Sequence, residues 1–248
     1  MVSFKKKFYF FKLTDTWFVA KSGAGNLLGL KTYSFVQKNN QRRPQFCIKR
    51  DSYTLISDLT ESMESLQEKF SSSIKKEIKK AEEAKIEFVA NKDLSFFVDF
   101  YNEFAGKKSL YQIPADMKQA LTADQYWVTL AKDNGDILNA KLYLYDAELG
   151  VVRSFLSANF RSEDPAIKRK VGISGKFLMA YSMHFFKNEG FKIYDFGGIA
   201  EGTKEKELKG INDFKASFGG MKKKDENFDS IPYYFLRKAS EILDRRYK

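Results

Sequence analysis

The chain has 248 residues, of which 43% are hydrophobic and 16% aromatic; that is enough for one sizeable core, or a core with a small lobe, and too much for a disordered chain. A single cysteine, Cys47, excludes an internal disulfide, and one histidine beside it leaves no room for a zinc site of the usual Cys/His type. The formal net charge of +11 favours a polyanionic partner, whether a phosphorylated donor, a lipid pyrophosphate or RNA, and also allows peripheral membrane contact; solvated lysines are the plainer alternative.

The opening M-V-S-F-K-K-K-F-Y-F-F-K has only four consecutive aromatics after its lysines, too few for the apolar part of a signal peptide, and no run approaches a membrane span. A cytoplasmic location is the expectation. Residues 4 to 50 alternate β-prone runs with turn signals. Phe8 to Phe11, Trp17 to Ala20, Lys31 to Gln37 and Gln45 to Lys49 are candidate strands, and Ser22 to Asn26 is a glycine-bearing hairpin tip. Residues 1–52 therefore read as an N-terminal β meander, with Arg42-Arg43 on a basic turn.

From Tyr53 the pattern becomes helical. Leu59, Met63, Leu66 and Phe70 share a face, and Asp58 or Thr60 is placed to cap the start. Ser71-Ser72-Ser73 interrupts. A second helix follows, with Ile74, Ile78 and Ala81 on one face and Lys75, Lys76, Lys79 and Lys80 fanned across the other. Ile86 to Val89 reads as a strand, Leu94 to Gly106 as an amphipathic helix, and Lys107 to Gln112 as a loop leading to a short helix that ends at Leu121.

Three strands come next, Tyr126 to Lys132, Ile137 to Tyr145 and Gly150 to Ser157, the first two joined by a tight turn at Asn134-Gly135. Alternation in the middle strand sets Leu142 and Leu144 against Lys141, Tyr143 and Tyr145, one row for the core and one for a cleft. Beyond Ser157, Arg161 and Lys168 to Lys170 precede V-G-I-S-G-K, which reads as a basic, glycine-containing loop opening a helix with Phe177, Leu178, Tyr181, Phe185 and His184. Free N–H groups and a positive dipole end would suit a phosphate there, so Arg169, Lys170, Gly172, Ser174, Gly175 and Lys176 are donor-binding candidates. His184, with no nucleophile or carboxylate beside it, reads as a packed or partly exposed helix residue rather than a catalyst.

Phe191 to Phe196 is a short buried strand stopped at Gly197-Gly198. Ile211, Phe214 and Phe218 then make one apolar stripe on a helix closed by Gly219, and Lys215 sits at the edge of that stripe with its ammonium free to reach a cleft. Asp195, at the strand end, either orients an amine or bonds to nearby backbone. Ile231 to Lys248 reads as a last helix carrying Tyr234, Ala239, Ile242 and Leu243 on one face and Arg245-Arg246 at its end.

Two distant blocks carry a resemblance. Y-D-F-G-G-I with G-I-N-D-F-K-A-S-F-G-G, and T-L-I-S-D-L-T-E-S-M-E-S-L-Q-E-K-F-S-S-S-I-K-K-E-I-K-K-A-E-E, resemble FemABX-like acyltransferases, relatives of the peptidoglycan-bridge aminoacyltransferases in the GNAT superfamily. Lys75, Lys79 and Lys80 stand where arginine is common in that family, which keeps charge but loses bidentate geometry. Arg169, Gly172 and Ser174 also approximate the GNAT pyrophosphate motif R/Q-x-x-G-x-G/A, with serine replacing the last small residue.

The resemblance implies an α/β (α+β) fold of GNAT type, with a mixed central sheet that splays open and helices flanking it. It divides the chain into 1–52, an acyltransferase domain over 53–230 and a C-terminal helix over 231–248. The implied reaction is N-acyl or aminoacyl transfer to an amine of a cell-envelope precursor or sugar. The donor would be acyl-CoA or aminoacyl-tRNA, used as a substrate, with no tightly bound cofactor and no metal. Lys215 and Asp195 are the implied catalytic pair, and Tyr194, Phe214, Lys108, Tyr111 and Arg153 the implied acceptor-side residues. Bridge enzymes commonly carry two such domains where this chain has one, so a homodimer would rebuild the missing wall. A non-catalytic RNA- or polyanion-binding protein of the same shape is the alternative.

Overall fold

The structure, a computed structural model, describes residues 1–8, 10–19, 29–36 and 43–246. In chain order the elements are β1 (Val2–Phe8), β2 (Phe11–Trp17), β3 (Leu30–Phe35), β4 (Cys47–Asp58), α1 (Met63–Glu68), α2 (Ser72–Glu83), β5 (Glu87–Asn91), α3 (Leu94–Lys107), α4 (Ala115–Ala120), β6 (Tyr126–Asp133), β7 (Asp136–Asp146), β8 (Val151–Asn159), α5 (Pro165–Asn188), β9 (Ile193–Ile199), α6 (Lys206–Ala216), β10 (Met221–Ser230) and α7 (Ile231–Arg246). They form two compact units. One comprises Met1–Ser52, Pro114–Leu121 and Lys224–Lys248, the other Tyr53–Ile113 and Thr122–Lys223.

In the first unit, β1 and β2 form an antiparallel hairpin whose last pair is Phe8 with Phe11. The aromatic run expected as a single strand is thus divided between two. β3 runs parallel to β2, so only the first connection is that of a meander, and β10 pairs antiparallel with β3. M-K-K-K-D-E-N-F-D-S has no apolar alternation, and sequence reasoning missed β10 for that reason. Its acids are held by cations instead: buried Asp229 bonds to Arg50 Nε at 3.2 Å and Arg237 Nη2 at 3.0 Å, and Glu226 to Lys49 Nζ at 2.5 Å. Val19, Cys47 and Phe228 form the core, with Tyr33 against them. The hairpin tip Ser22 to Asn26, Gln37 and Arg42 lie outside the described residues, as do the side chains of Ile242, Leu243, Arg245 and Arg246.

The second unit carries six strands in the order β4-β9-β8-β7-β6-β5. All neighbours are antiparallel except β8 and β9, so the sheet is mixed. The helix expected from Tyr53 starts later, because Tyr53 to Asp58 pair with β9 as the end of β4. Leu55 and Leu59 are buried in either reading, and it is the sheet neighbour that selects the strand. Asp58 then caps a turn by accepting from Thr60 N at 2.9 Å and Oγ1 at 2.6 Å. Ser62 caps α1, and Ser71, the first of the three serines, caps α2.

The main core lies among α1, α2, α5 and the sheet. Leu66, Phe70 and Ile74 meet Met179, Met183 and Phe186, with Tyr143, Val152, Tyr194 and Phe196 from the strands and Phe218 from the chain after α6. Edge-on rings, such as Tyr143 against Phe186 at 4.7 Å, pack within it. Each such side chain contributes roughly 1.5–3 kcal/mol of apolar burial. α3 packs on β7 and β8 through buried Phe97, Val98 and Tyr101. α6 has no buried residue: Ile211 is 43% exposed, and the expected stripe reduces to half-buried Phe214 and buried Phe218. Among the described residues no helix is long and apolar enough to cross a membrane.

Candidate functional site

The site follows from where β8 and β9 part. Their parallel pairing runs through Val151↔Ile193 and Val152↔Tyr194 and ends at Arg153↔Asp195, after which each strand continues without the other. Gly197 lies just beyond, at φ +83°, and a Cβ there would sit 2.7 Å from the Ser154 carbonyl oxygen. Only glycine allows that crossing of backbones. Past the Ser154–Gly197 contact the two strands are no longer paired, and the gap lies between the end of β8 on one lip and the end of β9 on the other.

At its inner end lies a buried ion pair. Arg153 Nη1 donates to Asp195 Oδ2 at 2.8 Å, with the side chains 6% and 0% exposed. Asp195 Oδ1 accepts from Gly197 N at 2.8 Å and from the Thr54 hydroxyl, which also reaches the Gly197 carbonyl at 2.9 Å. The carboxylate is therefore engaged by strand β4, strand β8 and its own backbone, and of the two readings of Asp195 the contact with backbone is the one present.

Lys215 Nζ donates to the Gly198 carbonyl at 2.6 Å and lies 3.6 Å from the place a Gly197 Cβ would occupy. α6 therefore delivers this amine to the β9 lip. Burial, and then the Arg153 guanidinium, push its pKa down to about 8, against a smaller upward pull from Asp195. On the β8 lip stands a lysine that sequence reasoning did not nominate. Lys141 of β7 is 8% exposed, pairs across the strands with Ser157, and donates to Ser157 Oγ at 3.0 Å. Burial, with Lys215 adding to it, pushes this amine down to about 7. The signal was there, a lone lysine inside the apolar run L-N-A-K-L-Y-L, and the alternation had assigned it to a cleft.

Other expected site residues are placed differently. Arg169, Lys170, Gly172, Ser174, Gly175 and Lys176 lie inside α5, which begins at Pro165, so the expected phosphate loop is a helix interior whose N–H groups are already bonded. The free first-turn N–H groups of Ala166 and Ile167 are taken by the Asp164 carboxylate, at 2.7 and 3.4 Å. Ser174 bonds to Asn139 of β7 and Lys176 pairs with Glu77 of α2. Pro165 at the first helical turn, after an aspartate cap, was the missed start signal.

Tyr194 is wholly buried, its hydroxyl 2.8 Å from that of Tyr143 and its ring in the core, so it does not line an acceptor surface. Tyr143 is likewise core rather than cleft. Phe214 packs against Phe218 at 5.4 Å. Lys108 bonds to Glu207 at 2.8 Å, tying the loop after α3 to the first turn of α6, while Tyr111 stands exposed nearby in sequence. His184 is exposed on α5, not on its buried side. It borders a concavity of about 880 Å³ among α1, α2 and α5, which is lined by no residue of the gap.

No protein-family profile matches the chain, and no curated protein matches it by sequence. Solved structures do match. The structure of FemX aligns over 82% of this chain and 65% of its own, with a TM-score of 0.57 at 12% identity. The C-terminal domain of a putative lysylphosphatidylglycerol synthetase from Agrobacterium fabrum aligns over 82% and 68%, with a TM-score of 0.55 at 12% identity. L-PGS from Bacillus licheniformis follows at 81% and 69%, TM-score 0.51 and 14% identity.

The chain has the FemABX-like GNAT fold. It spans about two thirds of the length of each of these FemX-like structures. The splayed β8–β9 pair expected for this FemABX-like fold is the gap described above. Lys215, the lysine of the F-K-A-S-F-G-G block, stands at the lip of that gap.

Proposed function

We propose that this chain is an acyltransferase that moves an acyl or aminoacyl group from an ester or thioester donor to an amine. Its carrying observation is the half-buried amine of Lys215 at the open end of the β8–β9 gap, in a fold shared with FemX and lysylphosphatidylglycerol synthetases. Transfer requires the donor carbonyl and the attacking amine to be held together, with positive charge where the oxyanion develops. Lys215 supplies that charge. Arg153 and Asp195 position it by fixing the strands on which it rests, and Lys108 braces α6 through Glu207.

The donor is acyl-CoA or aminoacyl-tRNA, and the acceptor an amine of an envelope precursor or sugar. With the α5 residues withdrawn from phosphate binding, the pyrophosphate-loop support for coenzyme A weakens, while the +11 net charge serves either donor. Native mass spectrometry of freshly purified protein reports any retained donor and the assembly state together. Transfer is then measured from acyl-CoA and charged tRNA pools to amine acceptors. Turnover that falls by roughly 10²–10³ in Lys215→Met supports the reading, in line with loss of one oxyanion donor. Unchanged turnover removes Lys215 from the chemistry. Salt-dependent tRNA binding with no transfer from any donor returns the chain to the polyanion-binding alternative.

A further inference from the structure

Among the described residues, Lys141 is a buried amine with no buried acid bonded to it. Ammonium groups are almost never fully buried unless paired, and Asp195, the carboxylate at this gap, is committed to Arg153, Thr54 and Gly197. Among the described residues the partner of Lys141 is a neutral hydroxyl, Ser157 Oγ at 3.0 Å. Ser157 lies on the part of β8 that has already left β9, and Gly198, which anchors Lys215, lies on the part of β9 that has already left β8. Two amines thus sit on opposite lips of one gap, each tethered to a neutral acceptor, and the charge of Lys215 bears on Lys141.

Among the described residues the surroundings add no compensating acid. Cross-strand neighbours are Thr129 on β6 and Ser157 on β8. α5 turns Ser174 and Ser182 towards the sheet, and α3 presents Phe97, Val98 and Tyr101, of which only Tyr101 titrates, its phenol raised by burial. Lys215 from α6 and Arg153 from β8 are the cations at the gap. A desolvated amine facing like charge sheds its proton more readily than its neighbour in water.

We propose that Lys141 is the proton acceptor of the transfer reaction, working opposite Lys215 across the β8–β9 gap. This rests on the acyltransferase reading and assigns it a second residue. The attacking amine forms the C–N bond while the carbonyl electron pair moves onto oxygen beside the Lys215 ammonium. The proton lost by that nitrogen goes to the free pair of Lys141 Nζ. As the bond from carbon to the leaving oxygen or sulfur breaks, Lys141 returns the proton to the leaving group, so no other reactant is needed.

Two measurements test this on the full chain. Lysine amines labelled with ¹³C and ¹⁵N are titrated by NMR, with the Lys141 signal assigned by its loss in Lys141→Met. The proposal expects a midpoint at least two pH units below the surface lysines, moving up in Lys215→Met; titration with the surface group near the ordinary value of about 10.4 overturns it. With a donor that the wild type uses, Lys141→Met should lower kcat by roughly 10²–10⁴ with little change in KM. Lys141→Arg keeps the charge but cannot give up its proton, and should not restore turnover. Restoration by arginine means an anion contact and overturns the proposal. A wild type that transfers nothing while Lys141 still titrates low defeats the acyltransferase reading and the proton-acceptor role together.

Discussion

Arg153 and Asp195 face each other across the last hydrogen-bonded position of β8 and β9, 2.8 Å apart and almost sealed from water. They are the hinge-post at which a continuous sheet becomes two lips. Removing one partner strands the other's charge in the interior. Asp195→Leu or Arg153→Met should therefore each lower the unfolding free energy by roughly 3–5 kcal/mol, and the double variant by less than the sum of the two. Urea denaturation checks this, and additive losses would mean that the pair does not act as a unit.

The amines at the gap set a pH dependence of stability. Lys141 and Lys215 titrate at about 7 and about 8 in the fold, against 10.5 ordinarily. Between those values the unfolded chain binds more protons, so the unfolding free energy rises with pH from about 7 to about 10.5, and the burial penalty is fullest below 7. Lys141→Met should accordingly stabilise the protein by a few kcal/mol at acid pH, with the gain shrinking to nothing as the medium reaches the unfolded lysine value. A stability difference that is flat from pH 6 to 10 contradicts the burial of a protonatable amine here.

Glycine is required at position 219 for two reasons that separate experimentally. Gly219 has φ +75°, and a Cβ would fall 2.4 Å from Lys69 Cβ and 2.8 Å from its carbonyl oxygen. Gly190 has φ +84° with nothing within 4 Å of the same point. Gly190→Ala should lose only the backbone term, about 1–2 kcal/mol, and Gly219→Ala roughly 1–3 kcal/mol more through overpacking. Thermal melts of the two variants compare them directly, and equal losses would show that the chain after α6 yields easily.

Tyr194 provides a control on the site. Its hydroxyl shares a buried hydrogen bond of 2.8 Å with Tyr143. Tyr194→Phe should cost about 1 kcal/mol of stability and leave the KM for both substrates unaltered. A selective rise in acceptor KM would put this phenol back at a substrate surface.

Much of the element pattern was legible because it is local. The three serines that stop α1 and cap α2, the Asn-Gly turn between β6 and β7, the amphipathic α3 and the glycine closing α6 are all decided by neighbours in sequence. Lys215 was also legible, since a cation next to an apolar stripe and near a strand-ending glycine pair has few places to point. Local rules failed where a strand takes its stability from a partner. β10 is charged and the end of β4, from Tyr53, reads as helical, and both are strands because of backbone pairing to distant segments. α5 begins earlier than its glycines suggest, since Asp164 and Pro165 cap it, and the loop that would have held a phosphate does not form.

What the sequence determined by itself was the mixed α/β alternation, the presence of a sizeable apolar core and an ammonium at the end of the β9 block. Only the tertiary structure decided that Asp195 is spent on Arg153, that Tyr194 is interior, and that Lys141 and Lys215 stand on opposite lips of one gap. The reason is that the charge state and reach of a side chain depend on solvent exclusion and on neighbours brought together by the fold, and neither is written in local periodicity.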